Sequence, residues 1–416
     1  MDRKYSVLIL TNTLYPNLNA NSEIAYRIGC ALRDFHGCDI TVLGYHKTAE
    51  AIPESDPYSL RTVSMKSATE FQRIFLSTPN RFARLAKLLL HPQSMQLYLD
   101  VRSARPYSYS RSYLNAVKAQ LKRKHYDCII GVSEPPSILV ALSQLKSKVP
   151  FISYRLDPWA TNILYADDKG IREEEIRSDD AAAAVIVTDL IRRDCAAYSP
   201  RRILDKMVAI EFPGIIRQKK AGKSVSFEPG KIHCVYAGVL YKDIRNPAYT
   251  LELFKALGGD GIVLHLYGAL SSDDVLPAVL PENVVYHGVV DSETAAACMQ
   301  AADVLVSIGN TIPNQMPSKI LTYLSMGKPI LNLVKIRDCP TLPYLEKYPL
   351  GLSLFETPEP LADDVEKARA FILGHSGDTI PFEEIERMYE TCTPGYVSDR
   401  VYQVICKAVE EAEKQP

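Results

Sequence analysis

Asn314-Gln-Met-Pro-Ser-Lys-Ile-Leu-Thr-Tyr-Leu-Ser-Met-Gly-Lys-Pro-Ile-Leu331 carries the outline of a loop, a helix and the strand that follows it. Just before it, Asp303-Val-Leu-Val-Ser-Ile308 has the short, β-branched, apolar character of a buried parallel strand. A polar loop, Gly309 to Asn314, leads to Pro317, Ser318 and Lys319, which open a helix with Pro and Ser in its first turn. Ile320, Leu321, Leu324 and Tyr323 give that helix an apolar face, Gly327 ends it, and Pro329-Ile-Leu-Asn-Leu333 begins the next strand. Strand, loop and helix in this order aim backbone N–H groups and the positive end of a helix dipole at one point. Lys319 adds a full charge there, which suits a phosphate or pyrophosphate. An ordinary βαβ unit without a ligand has the same outline.

The same alternation runs outward in both directions. In the first half the candidate strands are 6–11, 40–44, 128–132, 151–154, 185–188 and 208–211. A helix follows the first of them, with Ser22 as its expected cap, Ile24, Ile28, Ala31, Leu32 and Phe35 on one face, and Gly37 beyond its end. The polar stretch from Lys219 to Gly230 has no periodicity and reads as a linker. Strands at 232–236, 262–267 and 284–287 follow, with helices at 246–257 and 292–302. A last helix covers 397–413, with Val401, Val404, Ile405 and Ala408 on one face. At 416 residues the chain suits two cores of about 200 residues each. The fold class expected is α/β, two tandem doubly wound Rossmann-like domains and a C-terminal helix crossing back to the first. The expected divisions are 1–218, 228–385 and a helical segment at 386–416.

Several function classes drop out. A dinucleotide-binding Rossmann domain needs Gly-x-Gly-x-x-Gly after its first strand, and the turn from Thr11 to Ala20 contains no glycine, which argues against NAD or FAD. No apolar run approaches the ~20 residues of a membrane-spanning helix, and Val7 to Leu10 is too short for a signal-peptide core. The nine cysteines are scattered and form no Cys-x-x-Cys, so a reducing cytoplasm is expected and no structural metal. The acidic pairs Asp167-Asp168, Asp179-Asp180 and Asp273-Asp274 lack the spacing of Asp-x-Asp and read as solvated helix ends. A net charge of −1 gives no sign of a nucleic-acid partner.

The run Pro317-Ser-Lys-Ile-x-x-Tyr-x-x-x-Gly-Lys-Pro329 closely resembles the donor-binding helix of nucleotide-sugar glycosyltransferases of the GT-B fold, in the family 4-like, retaining group. The resemblance implies a nucleotide-diphosphate sugar as co-substrate and no other cofactor. It makes Pro317, Ser318 and Lys319 donor contacts. A glycine and a basic side chain at the first turn of the family's second domain touch the diphosphate, and Gly238 and Arg245 match them, with the spacing about one residue longer. Arg245 and Lys319 together would stabilise a departing diphosphate without a divalent metal. Tyr267, Gly268 and Gly288, at the ends of two further strands, fall where GT-B loops line the nucleotide; glycines at ordinary strand corners would look alike. The family carries two glutamates eight positions apart, and their places here are Asn314 and Thr322. Threonine is shorter and uncharged, and a ribose hydroxyl would gain one hydrogen bond from it at best.

In the first half, Phe151-Ile-Ser-Tyr-Arg-Leu-Asp-Pro-Trp159 resembles the Arg-Asp-Pro-Trp segment of bacterial surface-polysaccharide transferases. The resemblance makes Arg155 and Asp157 the catalytic-side candidates facing the sugar; a structural ion pair beside a packed tryptophan is the plain alternative. Ala20 and Asn21 stand where the family often has a Gly-Gly pair near sugar and acceptor.

One feature belongs to this sequence alone. Between residues 71 and 125 lie Arg73, Arg81, Arg84, Lys87, Arg102, Arg105, Arg111, Lys118, Lys122, Arg123 and Lys124 against a single acid, Asp100, interleaved with Phe71, Phe75, Phe82, Tyr98, Tyr107, Tyr109 and Tyr113. A basic, aromatic insertion suits anionic lipid headgroups or a lipid-diphosphate acceptor; a solvated helical subdomain is the other reading. Together these features lead to a cytoplasmic glycosyltransferase, peripheral on the inner face of the plasma membrane. Its role is in capsule-like surface-polysaccharide assembly, with the anomeric configuration retained and the departing phosphate helping to deprotonate a saccharide or lipid-linked acceptor. The alternatives kept are a non-catalytic glycosyltransferase-like subunit, motivated by Asn314 and Thr322, and, more distantly, a nucleotide-sugar epimerase.

Overall fold

The structure, a computed structural model, describes residues 3–16, 18–45, 57–65, 109–133, 136–162, 165 and 170–414. They divide into two compact units, Met1–Pro213 with Pro394–Pro416, and Gly214–Thr393. Residues 71–108 of the basic insertion, Asn17 of the acceptor loop, and Asp167-Asp168 lie outside the described residues.

The first unit is built on seven strands: β1 (Ser6–Thr13), β2 (Asp39–Tyr45), β3 (Arg61–Met65), β4 (Cys128–Val132), β5 (Phe151–Tyr154), β6 (Ala184–Val187) and β7 (Met207–Ala209). All pair in parallel, in the order β3-β2-β1-β4-β5-β6-β7. Covered on both faces, β1 and β4 bury nearly every residue, which is why they read as unbroken apolar runs rather than alternating ones. β3, with the sequence Arg-Thr-Val-Ser-Met, is a half-exposed edge strand and carries too little apolar signal to be read from sequence.

Helix Ala20–His36 starts earlier than expected. Asn19 is its cap, its side chain accepting from Ser22 N at 2.8 Å. Ser22 is buried instead, and its hydroxyl takes hydrogen bonds from Thr13 N (2.9 Å) and Thr11 Oγ1 (2.9 Å) on β1. The C-terminal helix Pro394–Glu413 packs on this helix, burying Val397, Val401, Ile405 and Ala408, and Tyr402 donates to the Arg3 carbonyl at 2.7 Å. Helix Ser110–Arg123, the described end of the insertion, buries Tyr113 and Val117 in the core and leaves Arg111, Lys118, Lys122 and Arg123 exposed. Tyr113 is therefore a packing residue rather than part of an aromatic surface.

The second unit carries β8 (Ile232–Ala237), β9 (Ile262–Tyr267), β10 (Val284–Gly288), β11 (Val304–Ile308), β12 (Ile330–Val334) and β13 (Gly351–Phe355), again all parallel, in the order β10-β9-β8-β11-β12-β13. In each sheet the strand order reverses once, between β1 and β4 and between β8 and β11. Open α/β sheets hold their ligands beyond the carboxyl ends of the strands at such a reversal. Among the described residues no helix is long and apolar enough to cross a membrane.

Candidate functional site

At the carboxyl edge of the second sheet, three neighbouring strand ends meet main chain to main chain. Gly238 N donates to the Tyr267 carbonyl at 2.9 Å, and Gly268 N donates to the Gly288 carbonyl at 2.8 Å. Gly268 has φ +134°, and a Cβ there would lie 2.0 Å from the Gly238 oxygen, so only glycine fits. Tyr286 Oη donates to the Gly268 carbonyl at 2.9 Å and steadies the corner from beside it.

From Gly238 the chain enters a tight turn in which Tyr241 and Arg245 exchange backbone hydrogen bonds. This holds Arg245 close to the corner, where its guanidinium meets the Tyr236 hydroxyl, Nη1 reaches the Val239 carbonyl at 3.4 Å and Nε is buried without a hydrogen-bond partner among the described residues. An unpartnered buried guanidinium N–H is costly, and an anion seated there would satisfy it. Burial pushes the Tyr236 phenol up, opposed by the nearby Arg245 charge. It stays a neutral hydroxyl donating to Val239 O at 3.0 Å.

The loop after β11 and the helix that follows it are each tied to this corner. Thr311 N donates to the Ile244 carbonyl at 3.0 Å, which pins the loop after β11 to the Arg245 turn. Ala237 N donates to Tyr323 Oη at 3.0 Å, which pins helix Lys319–Ser325 to the end of β8. Tyr323 is 2% exposed, and burial raises its phenol out of titration range. Lys319 is the first helical residue rather than the third, with Pro317 and Ser318 just before it, and its side chain is exposed. Asn314 and Thr322 are half-buried, and Gly327 ends the helix as a left-handed residue (φ +68°). Arg245, Gly238, Tyr267, Gly268, Gly288 and the Pro317–Lys319 segment thus share one sheet edge.

In the first unit the two catalytic-side candidates part company. Asp157 Oδ2 accepts from Asn21 Nδ2 at 3.0 Å, joining the segment after β5 to the start of helix Ala20–His36, where Ala20 is exposed. Arg155 turns inward and is fully buried. It pairs with Glu175 through Nη1 and with Asp179 through Nη2 (3.1 Å), and Nη2 lies 3.0 Å from Cys195 Sγ. The expected Arg155–Asp157 pair facing the sugar is replaced by a buried ion cluster. Burial acts to lower the Arg155 guanidinium, but Asp179, Cys195 and Tyr198 outweigh it and the net direction is up. Burial raises the Asp179 carboxyl despite Arg155 and the Ser153 hydroxyl. Asp179 is thus no solvated helix end; Asp180 is, paired with Arg202, while Asp274 lies in an exposed turn and pairs with Lys242.

Sequence reasoning missed Glu175, whose second oxygen takes Ala160 N at 2.7 Å and so fixes the turn that follows Asp157. A signal existed. On helix Ile171–Ala181 the buried positions are Ile171, Glu175, Ser178 and Asp179, a core-facing stripe occupied by acids. Acids at core positions demand an internal cation. Among the described residues no group of three or more His, Cys, Asp or Glu is arranged to hold a metal ion.

Known structures share this architecture over nearly the whole chain. The lipopolysaccharide outer core galactosyltransferase WaaB is similar with a TM-score of 0.54 and 11% identity, covering 96% of this chain and 99% of its own. Sucrose-phosphate synthase from Thermosynechococcus elongatus gives 0.58 and 14%, covering 98% and 100%. The fold is GT-B. A structure described as a putative UDP-N-acetylglucosamine 2-epimerase from Listeria monocytogenes is similar as well, with 0.56 and 10% over 100% and 99% of the two chains. No protein-family model and no curated protein matches the sequence. Within the GT-B frame the corner at Gly238, Gly268 and Gly288 closes the second unit's strand-order reversal from one side, and Thr311 and Tyr323 close it from the other.

Proposed function

We propose that this chain is a glycosyltransferase that moves a sugar from a nucleotide-diphosphate donor to a saccharide acceptor, carried on a lipid, in surface-polysaccharide assembly. One observation carries the reading: Arg245, whose buried Nε has no hydrogen-bond partner among the described residues, lies beside a corner made of main chain to which Thr311 and Tyr323 tie the loop after β11 and helix Lys319–Ser325. A diphosphate would supply an acceptor for Arg245 Nε, while Lys319 adds a second cation. Transfer proceeds with retention and without a metal ion, the charge on the leaving diphosphate being met by Arg245, Lys319 and backbone N–H groups. Its oxygen takes the acceptor's proton, and Asp157, held by Asn21, orients the acceptor hydroxyl. The protein works in the cytoplasm at the inner face of the plasma membrane, where the exposed Arg111, Lys118, Lys122 and Arg123 would meet anionic lipid.

A second reading, a binding subunit without turnover, is favoured by Asn314 and Thr322 where the family has glutamates. Calorimetry with UDP, GDP, dTDP and CMP sugars and the free diphosphates separates the two. One preferred nucleotide with Kd weakened tenfold or more by Arg245→Ala and by Lys319→Ala, followed by transfer to a lipid-linked saccharide, is the result expected of the enzyme. Absence of binding by the folded protein refutes it. Binding without transfer that Thr322→Glu tightens moves the conclusion to the subunit.

A further inference from the structure

Three histidines on neighbouring strands of the second unit form a ladder. His233 on β8, His265 on β9 and His287 on β10 run diagonally across one face of the sheet. His233 Nδ1 lies 2.9 Å from His265 Nε2, and His265 Nδ1 lies 3.0 Å from His287 Nε2. The inner end, His233 Nε2, is 2.8 Å from the Glu228 carbonyl. Phe227 stacks on His233 and His265 at ring distances of 4.7 and 4.5 Å, and Tyr267 stacks on His287 at 4.3 Å.

The Glu228 carbonyl can only accept, so His233 carries its proton on Nε2 and offers Nδ1 as acceptor. His265 must then donate from Nε2 and accept at Nδ1, and His287 must donate from Nε2. One acceptor at one end fixes three tautomers. Only Nδ1 of His287, on an exposed ring, keeps a lone pair without a partner among the described residues.

We propose that the three rings act as a single proton-binding relay: one proton enters at His287 Nδ1 and is shared along the ladder, and a second is excluded while segment 219–228 stays docked. Proton balance is simple. As solvent protonates His287 Nδ1, its Nε2 proton passes to His265 Nδ1, and the His265 Nε2 proton passes to His233 Nδ1. Each hydrogen bond reverses its donor and none is lost, while the charge moves inward by two rings. A second proton has no such route. It places two N–H groups face to face or two cations on adjacent rings, and a rung must break.

The surroundings support one charge at most. His233 and His265 are 6% and 7% exposed, and no carboxylate among the described residues bonds a ladder nitrogen. Nearby charges are committed elsewhere. Glu228 pairs with Lys231, Lys223 pairs with Asp291, Glu293 lies at Gly222, and Asp303 accepts from the His233 backbone N–H; Cys298 faces Tyr267. Burial, reinforced by His287 and His233, pushes His265 down to about 4, and burial also lowers His287. The docked segment is held by Ala221 N on Gln300 Oε1 (3.0 Å), by the Lys223–Asp291 pair and by the seat of Phe227 on the ladder. Breaking a rung removes that seat.

The test is nitrogen-15 NMR of the histidine side chains in the full-length chain from pH 8 to 3.5, in wild type and in His265→Gln. The glutamine amide can donate to His233 and accept from His287 but cannot pass a proton. At pH 8 all three rings are expected as the Nε2–H tautomer. On acidification His233 and His287 share one midpoint in wild type. In His265→Gln they separate, His287 titrating nearer its ordinary ~6.5 while His233 stays neutral. A proton on Nδ1 of any of the three rings at pH 8, or the same His233 curve in both proteins, overturns the proposal. Hydrogen exchange of residues 219–228, corrected for its intrinsic pH dependence, gives a readout that needs no variant. Protection should survive the first midpoint and fall only with the second proton; loss at the first midpoint overturns the relay.

Discussion

Replacing Arg155 by methionine tests the reassignment of that residue most directly. The guanidinium is fully buried, and the two carboxylates it faces, Glu175 and Asp179, are each 1% exposed. Methionine fills much of the volume, so packing loss is small and the effect isolates charge. Removing one partner of a buried ionic cluster and stranding the others costs about 3–5 kcal/mol. For a unit of this size that corresponds to a fall in Tm of roughly 6–20 °C. The pH dependence is the sharper signature. Burial already raises the Asp179 carboxyl with Arg155 present, and removing the guanidinium that opposes the rise lifts it further above its unfolded value. The destabilisation is then full above the folded value and fades as pH falls towards the ordinary carboxylate range near 4. Thermal and urea unfolding of Arg155→Met at pH 7.5 and 5 measure this. The triple variant Arg155→Met, Glu175→Gln, Asp179→Asn, which removes the charges together, is expected to regain more than half of the loss. An Arg155→Met protein that melts within about 2 °C of wild type at pH 7.5, or whose deficit does not shrink on acidification, would refute the argument and return Arg155 to the ligand-facing candidates.

Three further outcomes follow from the geometry. Gly268→Ala forces a Cβ against the Gly238 carbonyl at a φ that alanine avoids, so urea unfolding should show at least about 2 kcal/mol of destabilisation and nucleotide affinity should fall with it. Tyr323→Phe strips the Ala237 N–H of its acceptor inside the second unit, an expected loss of about 1–3 kcal/mol by thermal unfolding, with weaker donor binding because helix Lys319–Ser325 loses its tie to β8. Burial pushes His265 down to about 4 from an ordinary value near 6.5, so the stability that depends on its neutral ring is complete above about pH 6.5 and lost as pH falls towards 4; in urea unfolding the difference between wild type and His265→Gln should shrink over that window.

The alternation of strand and helix was legible because parallel strands covered on both faces must be apolar throughout; β4, β5 and β9 carry that signal to the residue. β3 and β13 escaped it. The first is a polar edge strand, and the second, Gly-Leu-Ser-Leu-Phe, leaves Phe355 exposed. The GT-B architecture was legible from Pro317–Pro329, a chemical pattern rather than a periodic one. Side-chain direction was less so. Arg155 stands one residue beyond β5, where a single step along the chain decides between interior and solvent, and the deciding partners lie on a helix 20 and 24 residues later. The histidine ladder left no trace in spacing, because its rungs come from three strands in diagonal register.

The corner at Gly238, Gly268 and Gly288 is made almost wholly of peptide groups, and peptide groups are common to every sequence. A ledge of this kind can persist while the side chains around it are exchanged nearly without limit. For an engineer, the corner is a part to leave alone; if the proposed donor site holds, new donor preferences are better sought in Asn314, Thr322 and the 309–316 loop, where side chains rather than main chain would meet the ligand.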